Sequence, residues 1–139
     1  MIKKTITYTD YDGNSRTEDF YFNLNKAEVI EKEFSIGGGL SKSLEKMSQT
    51  QDTTKVVPML KDIILSSVGE KSGDGKQFIK NADIARRFEQ SEAYSTLIVE
   101  LLTNAEEAAK FISGIAGVSQ DELEEAKKKA NISALPSAN

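Results

Sequence analysis

The sequence contains no cysteine, no histidine and no tryptophan. Without cysteine it has no disulfide framework, no thiolate nucleophile and no cysteine ligands for zinc. Without histidine it has no Ser–His–Asp triad and no side chain that ordinarily titrates near neutral pH. Because only carboxylates, lysine, tyrosine and hydroxyl groups remain for acid–base chemistry, the composition favours a protein that is not an enzyme.

Long apolar runs are also missing, since no stretch approaches the roughly 18 consecutive apolar residues of a membrane-spanning helix. Residues 1–7 alternate between polar and apolar types, which is not the pattern of a signal peptide. We therefore expect no membrane partner. A chain without cysteine is compatible with a reducing cytoplasm.

An excess of positive charge is the third missing feature. The chain carries 18 Lys and Arg against 22 Asp and Glu, for a net charge of −4. Nucleic-acid-binding proteins usually present a basic face, so this balance argues against one. The lysine run at 127–129 follows a run of acidic residues, and Glu124 and Lys128 have the spacing of an ion pair on a solvent-exposed helix. We predict no nucleic-acid partner.

The length of 139 residues corresponds to one domain, and Ile, Leu, Val and Phe form about a quarter of the chain, enough for a buried core. Residues 2–22 are predicted to form a β-hairpin, because apolar and polar side chains alternate on both sides of the Asp12–Gly13 turn. A lone two-stranded hairpin is only marginally stable in water. We therefore expect its apolar face, which includes Ile6, Phe20 and Phe22, to pack on the helices that follow or on another subunit.

After the hairpin, residues 26–117 show apolar side chains at helical spacing, in segments separated by polar and glycine-rich stretches. Residues that favour helix N-termini precede most of these segments. They are two capping boxes, Asn25 with Glu28 and Asn104 with Glu107, and two single N-caps, Asn81 and Ser91. The predicted fold class is α+β, with an N-terminal β-hairpin packed on a mostly α-helical domain of five to six helices.

Two glycine-rich segments interrupt the helical pattern. The glycines at 37–39 are predicted to end the first helix, before a short second helix that contains Leu40 and Leu44. The helix after that is predicted to include Val68, and residues 69–76 are predicted to form a loop.

The domain organisation is predicted to be simple, because the sequence contains no internal repeat and no boundary between two domains. We assign residues 1–118 to one domain. Ser119 with Glu122 is predicted to begin a last, mostly charged helix, and the small polar residues that follow it are predicted to form a disordered tail. The charged helix and the tail together occupy residues 119–139.

Two segments have the residue types of ligand-binding loops but not their spacing. An EF-hand loop beginning at Asp10 needs glycine at its sixth position and glutamate at its twelfth, where the sequence has Ser15 and Tyr21. A P-loop ending at Gly75–Lys76 needs another glycine five positions earlier, where the sequence has Glu70. We therefore predict no metal site, no cofactor and no catalytic residue.

Several segments, taken in order, resemble one known family. They are residues 4–14, 16–24, 26–30, 69–72, 74–76, 78–80, 92–94 and 108–111. The family is that of tail assembly chaperones from long-tailed, siphovirus-type phages and prophages of Gram-positive bacteria. The resemblance covers about residues 1–118 and contains no catalytic motif.

This resemblance implies a non-enzymatic protein that acts in the cytoplasm of the infected bacterial host. Such proteins bind the tape measure protein, keep it soluble, help recruit tail tube (major tail) subunits, and are absent from the mature virion. The resemblance also implies self-association and, in some relatives, a longer product made by ribosomal frameshifting.

Six apolar or aromatic residues are the candidates for contacts with protein partners: Phe20, Phe22, Leu40, Leu44, Tyr94 and Leu101. The alternative is that all six belong to the hydrophobic core.

Two other functions fit the same composition. One is a structural virion protein, such as a tail tube or head–tail connector subunit, and the other is a small regulatory binding protein. A tube subunit is expected to be rich in strands, whereas this sequence predicts only two, so the chaperone interpretation is preferred.

Overall fold

A computed structural model describes residues 1–33 and 53–116 of the chain. Three predictions lie outside these described residues. They are the helix end at residues 37–39, the short helix with Leu40 and Leu44, and the charged helix and tail of residues 119–139.

The described part contains four strands and five helices. In chain order they are β1 (Ile2–Thr9), β2 (Ser15–Phe22), α1 (Lys26–Glu33), α2 (Thr53–Ser67), β3 (Val68–Lys71), β4 (Phe78–Ile79), α3 (Ala82–Glu89), α4 (Glu92–Thr103) and α5 (Ala105–Ala116). The strands form one sheet in the order β1-β2-β3-β4. The predicted α+β class, with a hairpin at the N-terminus, is confirmed.

The hairpin has the predicted alternation of faces. The strands β1 and β2 pair antiparallel along their full length, from Ile2 opposite Phe22 to Thr9 opposite Ser15. The turn depends on Gly13, whose φ of 84° is readily adopted only by glycine. One face of the hairpin packs on the helices, and the other presents threonines to solvent.

The segment predicted as a loop is partly a second hairpin, which corrects the prediction for Val68 and residues 69–76. Val68 begins β3 instead of continuing the helix, and Tyr21 and Phe22 of β2 pair with Gly69 and Val68. The two-residue strand β4 then pairs with the end of β3. Strands this short are too short to show an alternation in sequence. The structure of β3 depends instead on pairing with β2, which lies far away in the chain.

The helices cover the apolar face of the sheet. The α2 helix, which contains Pro58, contributes a buried stripe that includes Leu60 and Ile64. The α4 and α5 helices add Leu97 and Ile112, which are also buried. These residues form one continuous core with Phe22 and its neighbours on the sheet.

The predicted N-caps are present with two differences, at Asn104 and at Ser91. Asn104 accepts from the Glu107 amide at 3.1 Å, but in the described part of the chain the Glu107 side chain makes no return bond to the Asn104 amide. Asn25 and Glu28 exchange both hydrogen bonds of a capping box, each 2.9 Å long. The Asn81 side chain accepts from the Ile84 amide at 2.9 Å. Ser91 stands at the N-cap of α4, but its hydroxyl donates to the Phe88 carbonyl instead of capping the helix.

Lys80 joins α1 to the strands of the sheet. Its Nζ lies 2.6 Å from both carboxylate oxygens of Glu28 and 3.0 Å from the Asn23 carbonyl oxygen. Partial burial of Glu28 opposes its ionised form, but the hydrogen bonds from Lys80 and the Asn25 amide outweigh burial and lower the pKa of Glu28. Glu28 is therefore both part of a helix cap and an anion held by a lysine.

We expect Glu28→Gln to lower the free energy of unfolding by about 1–2 kcal/mol at pH 7, because glutamine can serve in a capping box but carries no charge for Lys80. The pKa of Glu28 is depressed in the folded state, so its contribution is present above the ordinary value and is lost as the pH falls through the folded value. Urea denaturation between pH 7 and pH 3 measures the difference between the variant and the wild type, which should shrink on acidification. Glu106→Gln is the control, because Glu106 is exposed.

Gly69 is required for the close approach of β3 to β4. A Cβ at this position would lie 2.6 Å from the Ile79 carbonyl oxygen and 2.6 Å from the Phe78 ring. We expect Gly69→Ala to destabilise the protein by about 1–3 kcal/mol through this overlap. Gly73→Ala is the matched control, because no atom lies within 4 Å of its added Cβ. Equal midpoints of thermal unfolding for the two variants would contradict the expectation.

Candidate functional site

Six aromatic rings form a continuous cluster between the sheet and the helices, with Phe88 of α3 at its centre. Its ring centroid lies 5.0 Å from that of Phe20, 5.6 Å from that of Phe22 and 5.9 Å from that of Tyr94. Tyr8 extends the cluster beyond Phe20, at a centroid distance of 6.5 Å. Phe111 of α5 extends it beyond Phe22, at 5.1 Å. The tilted and edge-on arrangements are those that aromatic pairs prefer.

The structure brings three of the six candidate contact residues together in this cluster, namely Phe20, Phe22 and Tyr94. Phe22 is fully buried, whereas Phe20 and Tyr94 are half-buried at the edge of the cluster. Leu101 is 2% exposed and lies about two turns further along α4. Phe22 and Leu101 therefore pack in the core of this conformation, as the alternative interpretation expected for them.

Leu40 and Leu44 lie outside the described residues. The contact of all six candidates with a protein partner stays a prediction.

A groove of about 570 Å³ lies beside the cluster, where β2, β3 and α3 meet. Its volume is within the range of protein sites that enclose a ligand or a few side chains. The floor and walls are mainly apolar and come from Tyr8, Phe20, Val68, Ile84 and Phe88. Gly69 contributes backbone alone, at the point where β3 leaves β2.

Charged side chains surround this groove: Glu18, Asp19, Glu70, Lys71 and Arg87. The two cations have partners, since Arg87 Nε lies 3.0 Å from Asp83 and Lys71 Nζ lies 5.0 Å from the centre of the Tyr21 ring. Within the described residues, the Glu70 side chain has no hydrogen bond or ion pair. The rim is therefore more negative than positive.

The hydroxyl of Tyr8 connects the floor of the groove to its rim. It donates a hydrogen bond to Glu18 Oε1 at 2.5 Å. This hydrogen bond, together with partial desolvation, raises the pKa of Tyr8 above its ordinary value, so the phenol keeps its proton throughout the neutral range. Tyr8 therefore acts here as a neutral donor that orients a carboxylate.

The groove has the chemistry of a binding surface. In residues 1–33 and 53–116 no group of three or more acidic, histidine or cysteine side chains could hold a metal ion. Within the same ranges no helix has the length and apolarity needed to cross a membrane. The groups present in the groove are aromatic rings, hydrogen-bonded carboxylates and a backbone edge, which suit non-covalent recognition of another molecule.

The sequence alone did not identify the groove. Ile84 and Phe88 are four residues apart after the Asn81 cap, which predicts a helix face but does not say which strand that face meets. The opposite wall belongs to β3, which was predicted as a loop. The sequence has one signal for this wall, namely Val68 followed by Gly69 and then by charged residues. Many turns show the same pattern, so it does not identify a strand.

Comparison with known proteins gives one match. A family model described as "Phage tail assembly chaperone" matches residues 1–136. A search of curated proteins and a search of solved structures each return no significant match. The family match extends beyond residue 118, so the similarity includes most of the C-terminal segment in which the sequence analysis found no resemblance.

We expect Phe88→Leu to lower the free energy of unfolding by about 1–3 kcal/mol, because leucine fills much of the volume but loses three ring contacts. Phe20→Leu should cost less, since Phe20 is half-buried and at the edge of the cluster. Chemical denaturation followed by circular dichroism measures both. A larger effect at Phe20 than at Phe88 would show that the cluster is not organised around Phe88.

Proposed function

Because this chain belongs to the phage tail assembly chaperone family, we propose that it binds the tape measure protein of its phage and keeps that protein soluble until tail tube subunits enclose it. The observation that carries the proposal is the family match over residues 1–136. The groove beside β2 supports it, since an apolar floor with a charged rim suits the reversible binding of a polypeptide.

The finer parts of the proposal follow from the resemblance of the sequence to tail assembly chaperones. The protein helps recruit tail tube (major tail) subunits in the cytoplasm of the infected host, and it leaves before the tail is complete. It associates with further copies of itself, and a longer frameshifted product accompanies it. The phage is of the long-tailed, siphovirus type and infects Gram-positive bacteria.

Phe20 and Tyr94 are the candidate contact residues that we place on the binding surface. Both are half-buried at the edge of the aromatic cluster, where a partner can reach them without displacing Phe22 or Leu101 from the core. Partly exposed aromatic side chains are common anchors of protein interfaces.

The structural virion protein is the competing function. A tube subunit built on strands is disfavoured by the described residues, in which strands of 8, 8, 4 and 2 residues accompany five helices. The strand content does not distinguish the proposed chaperone from a small regulatory protein, so the test must use the partner itself.

Co-expression with the tape measure protein of the same phage tests the proposal. We expect the tape measure protein to move from the insoluble to the soluble fraction and to co-elute with this chain in size-exclusion chromatography. Co-expression with an unrelated acidic protein of similar size is the control. A tape measure protein that stays insoluble without forming a complex would contradict the proposal, and finding this chain in purified mature virions would favour the structural role instead.

A further inference from the structure

The sheet opens between β2 and β3. The β2 strand pairs with β1 over eight residues but with β3 over two residue pairs, at Tyr21 and Phe22. An antiparallel ladder alternates, so the residues whose backbone groups face away from β1 are Ser15, Thr17, Asp19 and Tyr21. Of these, Tyr21 is paired with Gly69. The backbone of residues 15–19, which we call the open edge, therefore has no ladder partner on this side within the described residues.

The ladder between β2 and β3 ends at Gly69. If the ladder continued, Asp19 would pair with Lys71, two residues beyond Gly69. That pair is not formed, whereas on the other edge of β3 Glu70 and Lys71 pair with Ile79 and Phe78 of β4, close to the tight contact at Gly69. The β3 strand thus leaves β2 at Gly69, and both Asp19 and Lys71 line the resulting groove.

A strand added to the open edge would place alternate side chains in the groove. The side chains of β2 on the helix side are Glu18, Phe20 and Phe22, so an added strand would direct every second side chain toward the same side. On that side lie the rings of Phe20 and Phe88 and the side chain of Ile84. Main-chain hydrogen bonds would supply affinity, and the apolar floor would select bulky side chains.

The charges of the rim define the ligand further. Glu18 and Glu70 are exposed at the groove on the helix side of the sheet. Asp19 lies on the other side, where it accepts a hydrogen bond from Thr5, and Arg87 and Lys71 interact with Asp83 and Tyr21. A lysine or arginine two positions away from an apolar residue of the ligand would point to the helix side as well and complement the carboxylates of Glu18 and Glu70. The walls formed by β3 and α3 enclose the groove beside the edge, which favours one extended segment over the edge strand of a second folded copy.

We propose that the open edge of β2 binds an extended segment of a partner protein by strand addition, and that this segment directs bulky apolar residues and lysine or arginine, two positions apart, toward the helix side of the sheet. The identification of the partner as a tail protein rests on the proposed function, but the recognition chemistry does not. The groove is the specificity site, and the backbone of Thr17 and Asp19 is the docking edge.

A designed probe tests this inference: a capped ten-residue peptide in which every second residue is in turn phenylalanine or lysine and the residues between them are threonine, labelled for fluorescence anisotropy. We expect it to bind, and we expect the same peptide with glutamate in place of lysine to bind about tenfold more weakly or worse. Failure of the lysine peptide to bind, or equal binding of the two peptides, would overturn the proposal.

Two proline variants form a matched pair for the docking edge. Thr17→Pro removes an N–H from the open edge of β2, whereas Thr7→Pro removes one from the outer edge of β1, and both lose the same 3.0 Å bond between the two threonine hydroxyls. We expect Thr17→Pro to weaken peptide binding about tenfold and Thr7→Pro to leave it unchanged. Equal affinities of the two variants would contradict strand addition at β2.

A second pair tests the charge of the rim without touching the strands. Glu70→Lys should weaken binding of the lysine peptide several-fold, and Glu106→Lys, on the exposed face of α5, should not. This pair keeps the proposal testable if a proline variant fails to fold.

Hydrogen exchange on the wild-type protein provides a direct readout. The amides of Thr17 and Asp19 should exchange freely in the unliganded protein and gain protection with the peptide, while those of Lys3 and Thr5 should not change. Protection of Thr17 and Asp19 before peptide is added would show that another segment of this chain or a second copy occupies the edge, and would overturn the proposal.

A soluble tape measure complex without peptide binding at β2 would reject this inference alone, whereas peptide binding without such a complex would reject only the proposed function.

Discussion

Packing of the hairpin against the ring of Phe88 is the interaction on which the rest of the structure depends. Two strands joined by a tight turn bury too little surface to be stable in water. Phe88 contacts Phe20 and Phe22 from the hairpin and Tyr94 from α4, so one side chain connects the sheet to two helices. Phe111 completes the burial of Phe22 from α5.

The groove is a consequence of the same arrangement. The α3 helix must lie beneath β2 to place Phe88 in the cluster, and β3 must turn toward β4 at Gly69. Between these two constraints, part of β2 keeps a covered apolar face and an unpaired backbone edge. A surface that combines both is able to recognise a polypeptide through its main chain and through its side chains at once.

Much of the local structure could be predicted from the sequence, because it depends on contacts between near neighbours. The hairpin alternation, the turn at Gly13 and the capping bonds of Asn25 and Asn81 are of this kind. The strand that begins at Val68 was missed, because its partners, Tyr21 and Phe22, lie far away in the chain and four residues are too few to show a period.

The candidate site shows the same limit. The sequence singled out Phe20, Phe22 and Tyr94 as apolar residues in strongly patterned segments, and such patterns mark buried and partner-facing positions equally. Phe22 became core because α3 and α5 cover it, and only the three-dimensional packing decides that. Phe88, which organises the cluster, had no feature in sequence beyond its place on a helix face.

The residues that cover the hairpin lie far along the chain, so the hairpin leaves the ribosome before the residues that cover it. The hairpin closes through local contacts, and hairpins form within microseconds, whereas chains emerge at about 5–20 residues per second. Residues 88 and 111, which cover Phe22, are synthesised much later than the hairpin itself. For several seconds of translation, the aromatic side chains of the hairpin segment thus stay uncovered in each nascent chain, and neighbouring ribosomes on one message hold such segments at high local concentration.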